Sequence, residues 1–167
     1  MPNVYYKHRF IALGVIGALL IITGITQNPP QLYYVSGAAA LLATAFHYNL
    51  IYFIALELIL IAGHAAVLLG SGPYTRVTLP ILLCFQLLLF FLIFSKEKSF
   101  FIILGVSGIA LLSVGFSYNN QWIFFSGSLF IAIYAYYSGY RGEYPAYIWA
   151  ALNTFFALLA LYKIFLL

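Results

Sequence analysis

Few residues in this chain have side chains that can do chemistry. Among its 167 residues there are three acids, three histidines, one cysteine and seven lysines or arginines. Glu57 stands inside the apolar run "IYFIALELILIAG". A carboxylate at mid-membrane depth costs about 2.5–3.5 kcal/mol on insertion scales, so it is expected to face protein or a water-filled cavity. His64 follows seven residues later on nearly the same helical face, about 10 Å further along the axis. That is too far for a direct bond but suits two groups lining one cavity. Asn153 carries an amide that both donates and accepts. Trp149 precedes it by one turn on the same face, where its indole can stack on a flat ring or anchor the membrane interface. Gln86 lies midway in the central apolar run.

These five residues, Glu57, Asn153, Trp149, His64 and Gln86, are the candidate substrate contacts. Each has a structural alternative: interhelical bonding for Glu57, Asn153 and Gln86, and a loop contact for His64. Catalysis has little to work with. There is no histidine pair four residues apart with a glutamate, no cysteine–histidine set and no phosphate-binding glycine loop. Glu57 and His64 offer an acid and a base, but no nucleophile accompanies them. The expectation is a protein that is not an enzyme and uses no metal or cofactor. The lone Cys84 excludes an intramolecular disulfide.

The elements that position these groups follow from composition. The chain is 65% hydrophobic and 6% charged, with mean hydropathy +1.05, whereas soluble domains carry about 25% charged residues. The alternation a transmembrane barrel needs is absent, so the expected class is an all-α integral membrane protein. Breaks at "QNPPQ", "HYN", "GSGPYT", "SKEKS", "SYNNQ" and "GYRGEY" divide the apolar sequence into seven predicted spans: Arg9–Thr26, Leu32–Phe46, Leu50–Leu69, Val77–Phe94, Phe100–Phe116, Trp122–Tyr137 and Tyr144–Phe165. The "HYN" break is required by length. An unbroken helix from Leu32 to Leu69 would run roughly 57 Å, nearly twice a hydrocarbon core of about 30 Å.

The chain also repeats itself. "FIALGVIGALLIITGITQN" (Phe10–Asn28) and "FIILGVSGIALLSVGFSYN" (Phe101–Asn119) agree at nine of nineteen places at a shift of ninety-one. Past Pro29-Pro30 the shift becomes ninety, and Gln31, Ser36 and Gly37 fall on Gln121, Ser126 and Gly127. For the third and seventh helices, ninety-six puts Glu57 on Asn153, while ninety-five puts Tyr52 on Tyr147 and Glu57 on Leu152. The predicted organisation is an N-terminal tail (1–8), a first three-helix repeat (9–70), a linker helix with flanking loops (71–98) and a second three-helix repeat (99–167). One extra crossing between the repeats makes them parallel. The shared glycines would let helices approach closely.

Lys7, Arg9, Lys96, Lys98 and Arg141 fall on the N-terminal side of this topology, and Arg76 and Lys163 on the other. The positive-inside bias therefore predicts a cytoplasmic N-terminus and an external C-terminus in an inner or plasma membrane. Scattered basic residues form no nucleic-acid patch.

The segment "QWIFFSGSLFIAIYAYYSGYRGEYPAYIWAALNTFFALLALYKI" resembles the C-terminal part of PnuC-type vitamin transporters. It shares a tryptophan opening the sixth helix, a late Ile-Tyr pair, a short Gly-Tyr connection and an aromatic last helix. "YYVSGAAALLATAFHYNLIYFIALELILIAG" is similar to the matching first-half segment. The three-plus-one-plus-three plan is shared with the SWEET sugar transporters, and "PPQ" at 29–31 with PQ-loop relatives. The resemblance implies a transporter or facilitator that moves a vitamin of the nicotinamide riboside type by alternating access between the two repeats. A SWEET-type sugar transporter and a non-transporting membrane assembly or scaffold protein are the alternatives. The partners expected are a small-molecule solute and the lipid bilayer, with a homo-oligomer as an open option and no nucleic acid.

Overall fold

The computed structural model describes residues 4–70, 72–94 and 100–166. The predicted break at 95–99, the start of the N-terminal tail and Ser71 of "GSGPYT" lie outside the described residues. The protein is all-helical, with no strand among the described residues. Seven α-helices follow in order: α1 (Val4–Gly24), α2 (Gln31–His47), α3 (Ile51–Leu68), α4 (Pro73–Phe94), α5 (Phe100–Tyr118), α6 (Gln121–Tyr140) and α7 (Tyr147–Leu166). A short 3-10 turn, Tyr144–Ala146, leads into α7. Two segments, Ile51–Leu68 and Tyr144–Leu166, are long and apolar enough to cross a membrane.

The helix ends are set by backbone geometry that hydropathy does not report. After α2, Asn49 takes the left-handed conformation (φ 55°). Its N–H bonds to Phe46 O at 3.2 Å, and the next N–H, of Leu50, reaches Ala45 O at 3.0 Å. This Schellman closure caps the last carbonyls and reverses the chain at "HYN". Beside it Tyr48 lies edge-on to His47 at 4.8 Å, and burial holds its phenol above the usual range. The same closure ends α6: Gly142 has φ 105°, Gly142 N bonds to Gly139 O at 3.1 Å and Glu143 N to Ser138 O at 3.2 Å.

Several boundaries differ from expectation: α4 already begins at Pro73, inside the expected "GSGPYT" turn and ahead of Val77, α1 stops at Gly24 rather than Thr26, and α5 runs on to Tyr118. Residues Val4 to His8 are already helical, so α1 begins inside the expected tail. Helix α6 runs three residues past Tyr137 because bare Gly139 admits the Tyr147 ring; a Cβ there would meet its Cζ at 2.8 Å. Helix α7 starts at Tyr147 rather than Tyr144, since Pro145 sits in the 3-10 turn ahead of it.

Helix α6 has the one side-chain cap recorded among the described helices. Asn120 accepts from Trp122 N at 3.0 Å and Ile123 N at 3.2 Å, which satisfies two donors that the helix itself leaves open. Asn120→Ala is expected to cost about 1 kcal/mol, read as a lower thermal midpoint of the purified protein; Asn120→Asp should keep most of it.

The chain forms two compact units, Met1–Gly70 and Ser71–Leu167. In the first, α1 packs on α2 and α2 on α3; in the second, α4 packs on α5, α5 on α6 and α6 on α7. The α1–α2 and α5–α6 pairs share several contacts at equivalent residues. A Cβ on Gly17 would meet Ala40 and Leu41, and one on Gly108 would meet Phe130 and Ile131. At Gly24 the obstacle is Tyr34, and at Gly115 it is Phe124. At Gly37 it is Ile21, and at Gly127 it is Leu112. Each pair differs by the shifts of ninety-one and ninety found in the sequence. Phe10 stacks on His47 (3.9 Å, 7°) just as Phe101 stacks on Tyr137 (4.1 Å, 9°). Close approach at small residues lets α1–α2 and α5–α6 gain dispersion contacts that need no water to drive them.

Candidate functional site

In the first unit the polar groups of interest sit on α3. Glu57 is 1% exposed, and its neighbours along the helix, Phe53 and Leu56, are also buried. His64 lies two turns further on, half-buried, with its imidazole 4.9 Å from the Tyr34 ring at 44°. Tyr34 is placed by the glycine opposite: a Cβ on Gly24 would meet its Cε1 at 2.8 Å. The small residue on α1 therefore sets the α2 ring that faces His64. Sequence analysis singled out Glu57 and His64 but not Tyr34, whose role depends on the α2–α3 packing.

In the second unit Trp149 and Asn153 come together on α7. Trp149 is fully buried, so it is a core residue and not an interface anchor, unlike Trp122, which is 56% exposed. Asn153 Nδ2 donates to Trp149 O at 3.0 Å, while Asn153 Oδ1 is buried with no hydrogen-bond partner. Ser128, on α6, is equally buried and its Oγ also lacks a partner. Ser128 was not a sequence candidate, because a serine in an apolar helix ordinarily folds back onto its own backbone. Gln86 is exposed on α4 and is not gathered with these buried groups.

Helices α3 and α7 begin ninety-six residues apart, at Ile51 and Tyr147. At that shift three buried pairs coincide: Phe53 with Trp149, Leu56 with Leu152, and Glu57 with Asn153. At that shift Glu57 falls on Asn153 and His64 on Ala160. Tyr34 corresponds to Phe124 at the α2–α6 shift of ninety. One unit places titratable groups where the other places neutral ones.

A further polar feature closes the α6–α7 turn. Ser138 Oγ donates to Glu143 Oε2. Nearby, Arg141 Nη1 donates to the Tyr137 hydroxyl at 3.2 Å, with its guanidinium 5.7 Å from that ring's centre. These contacts lie at the helix end and brace the turn. Comparison with protein-family profiles, with characterised proteins and with solved structures gives no match.

Proposed function

We propose that this protein is a membrane transporter for a small organic solute, with a vitamin of the nicotinamide riboside type as the first solute to test. The observation that carries the proposal is that each unit buries a polar side chain in an apolar helix, Glu57 on α3 and Asn153 on α7. A lone buried polar group is common interhelical glue. A buried polar group in each repeat, an acid in one and an amide in the other, is what a repeat-built transporter would offer a solute.

A bilayer setting is supported by the outer surfaces of the helices. Leu19 and Ile16 in the first unit, and Leu158 and Phe165 in the second, are all more than half exposed. Such side chains favour lipid over water. In this proposal all seven helices are spans and the N-terminus lies on the cytoplasmic side, the orientation that the bias of basic residues favours.

Protein reconstituted into liposomes should take up radiolabelled nicotinamide riboside saturably, above the leak of protein-free vesicles. Saturable glucose uptake instead would identify the sugar-transporting alternative. Leak-level entry of both solutes would refute the transport proposal.

A further inference from the structure

Gln86 is the polar residue that the candidate site leaves unused. It stands in the α4 stretch "LPILLCFQLLLFFLIF" (79–94), whose other side chains are apolar apart from the Cys84 thiol. The residues from Leu87 to Phe94 that follow it are all apolar, about 12 Å of helix. That is further than a glutamine side chain reaches toward a headgroup layer. The residue is nonetheless exposed.

The two sides of α4 differ. Pro80, Cys84 and Phe91 are buried, and at about 100° per residue they fall within about 40° of arc. Helix α4 packs on α5. Thr78, Ile81, Leu82, Phe85 and Gln86 are exposed and share the opposite side of the helix. Ile81, Leu82 and Phe85 leave 46%, 54% and 57% of their surface uncovered. Thr78 donates to Tyr74 O at 2.8 Å, whereas among the described residues no hydrogen bond satisfies the Gln86 amide. Leucine or phenylalanine facing lipid needs no partner. An amide in hydrocarbon goes unsolvated unless another helix bonds to it.

We infer that this protein binds a second copy of itself through the exposed side of α4, with the Gln86 amide bonded to the partner's Gln86. The occupant follows from symmetry. Copies inserted in the same direction pair about a two-fold axis along the membrane normal, which brings equal depths together. A primary amide both donates and accepts, so two of them at one depth satisfy each other. An unrelated helix would have to carry a polar group at that same depth, and a second copy always does. Ile81, Leu82 and Phe85 flank the amide with apolar surface that gains dispersion contacts on pairing. The inference rests on the bilayer setting of the proposed function and does not require transport.

The full chain, labelled at its C-terminus with a donor or an acceptor fluorophore, is reconstituted into phosphatidylcholine liposomes over a range of protein-to-lipid ratios. Energy transfer should rise with protein density to a plateau and fall when unlabelled parent is added. Gln86→Leu should need about tenfold higher density to reach half the plateau, the effect of a lost interhelical hydrogen bond. Gln86→Asn, which keeps an amide, should lie between the two. In excess detergent, where copies are separated, Gln86→Leu should unfold at the parental midpoint. Phe85→Cys in a Cys84→Ala background should give a disulfide-linked pair on oxidation in the same vesicles, and Leu158→Cys on α7 should give much less. Energy transfer no greater than random proximity at every density overturns the inference. So does a Gln86→Leu curve equal to the parent's, or equal cross-linking at 85 and 158. A lowered detergent midpoint for Gln86→Leu would show that the amide bonds within its own chain, and also overturns it. Association is read without solute, so leak-level uptake refutes transport and leaves the interface. Saturable uptake by copies that do not associate refutes the interface and leaves transport.

Discussion

Gly127→Ala should unfold the second unit at temperatures where the parent is intact. A Cβ at this position would lie 2.4 Å from Leu112 N and 2.8 Å from Leu112 Cα. The obstacle is backbone, so no rotamer change relieves it, and α5 and α6 must move apart along the contact that holds them. Overpacking a core costs typically 1–3 kcal/mol and at times more. A clash with main chain puts this variant at or above the top of that range, against a total stability of about 5–15 kcal/mol. A loss of about 3 kcal/mol lowers the midpoint of a chain this size by roughly 6–12 °C. Gly37→Ala should act in the same direction in the first unit, where the new Cβ would lie 2.6 Å from Gly17 O and from Ile21 Cγ1. Gly72→Ala is the control, because no atom lies within 4 Å of a Cβ there. Thermal unfolding of the three purified variants checks this. Equal midpoints for Gly127→Ala and Gly72→Ala would show that the close glycine contacts do not hold the unit together.

The helices were legible because an apolar run bounded by Asn, Pro, Gly or a charge cluster has one economical way to satisfy its backbone when water is scarce. The fourth apolar run became α4 even across Pro80, which sits inside the helix. The ends were less legible. Where α6 stops depends on Gly139 meeting Tyr147 from the next element, and where α7 starts depends on a 3-10 turn built on Pro145. Both are tertiary facts. Among the polar residues, Glu57 and Asn153 stood out because a polar group in an apolar run signals burial in protein. Gln86 stood out by the same rule, yet it is exposed on α4. Hydropathy reports how deep a residue lies in a run, and says nothing about which way it faces. Ser128 could not be found this way, since nothing in its sequence context distinguishes it from Ser113 or Ser126, which satisfy themselves locally. Tyr34 required knowing that Gly24 and His64 flank the same ring.

Glu57→Gln should separate what the carboxyl does for the fold from what it does for the solute. The substitution keeps size and shape while removing the ability to carry a charge. The amide can keep hydrogen bonds that the carboxyl makes, so the unfolding midpoint should change little. A hydrogen bond between a charged group and a solute contributes about 1.5–3 kcal/mol, and its loss should lower the initial rate of nicotinamide riboside uptake by about tenfold or more. Asn153→Asp is the complementary change, since it installs a second buried acid on α7. There the amide donation to Trp149 O would be lost and an acid placed in an interface without a counter-charge, so this variant should lose stability as well as uptake. A stable Glu57→Gln protein that transports at the parental rate would reduce Glu57 to an interhelical contact. A Glu57→Gln protein that loses both stability and uptake would show that the carboxyl is needed first to build the unit.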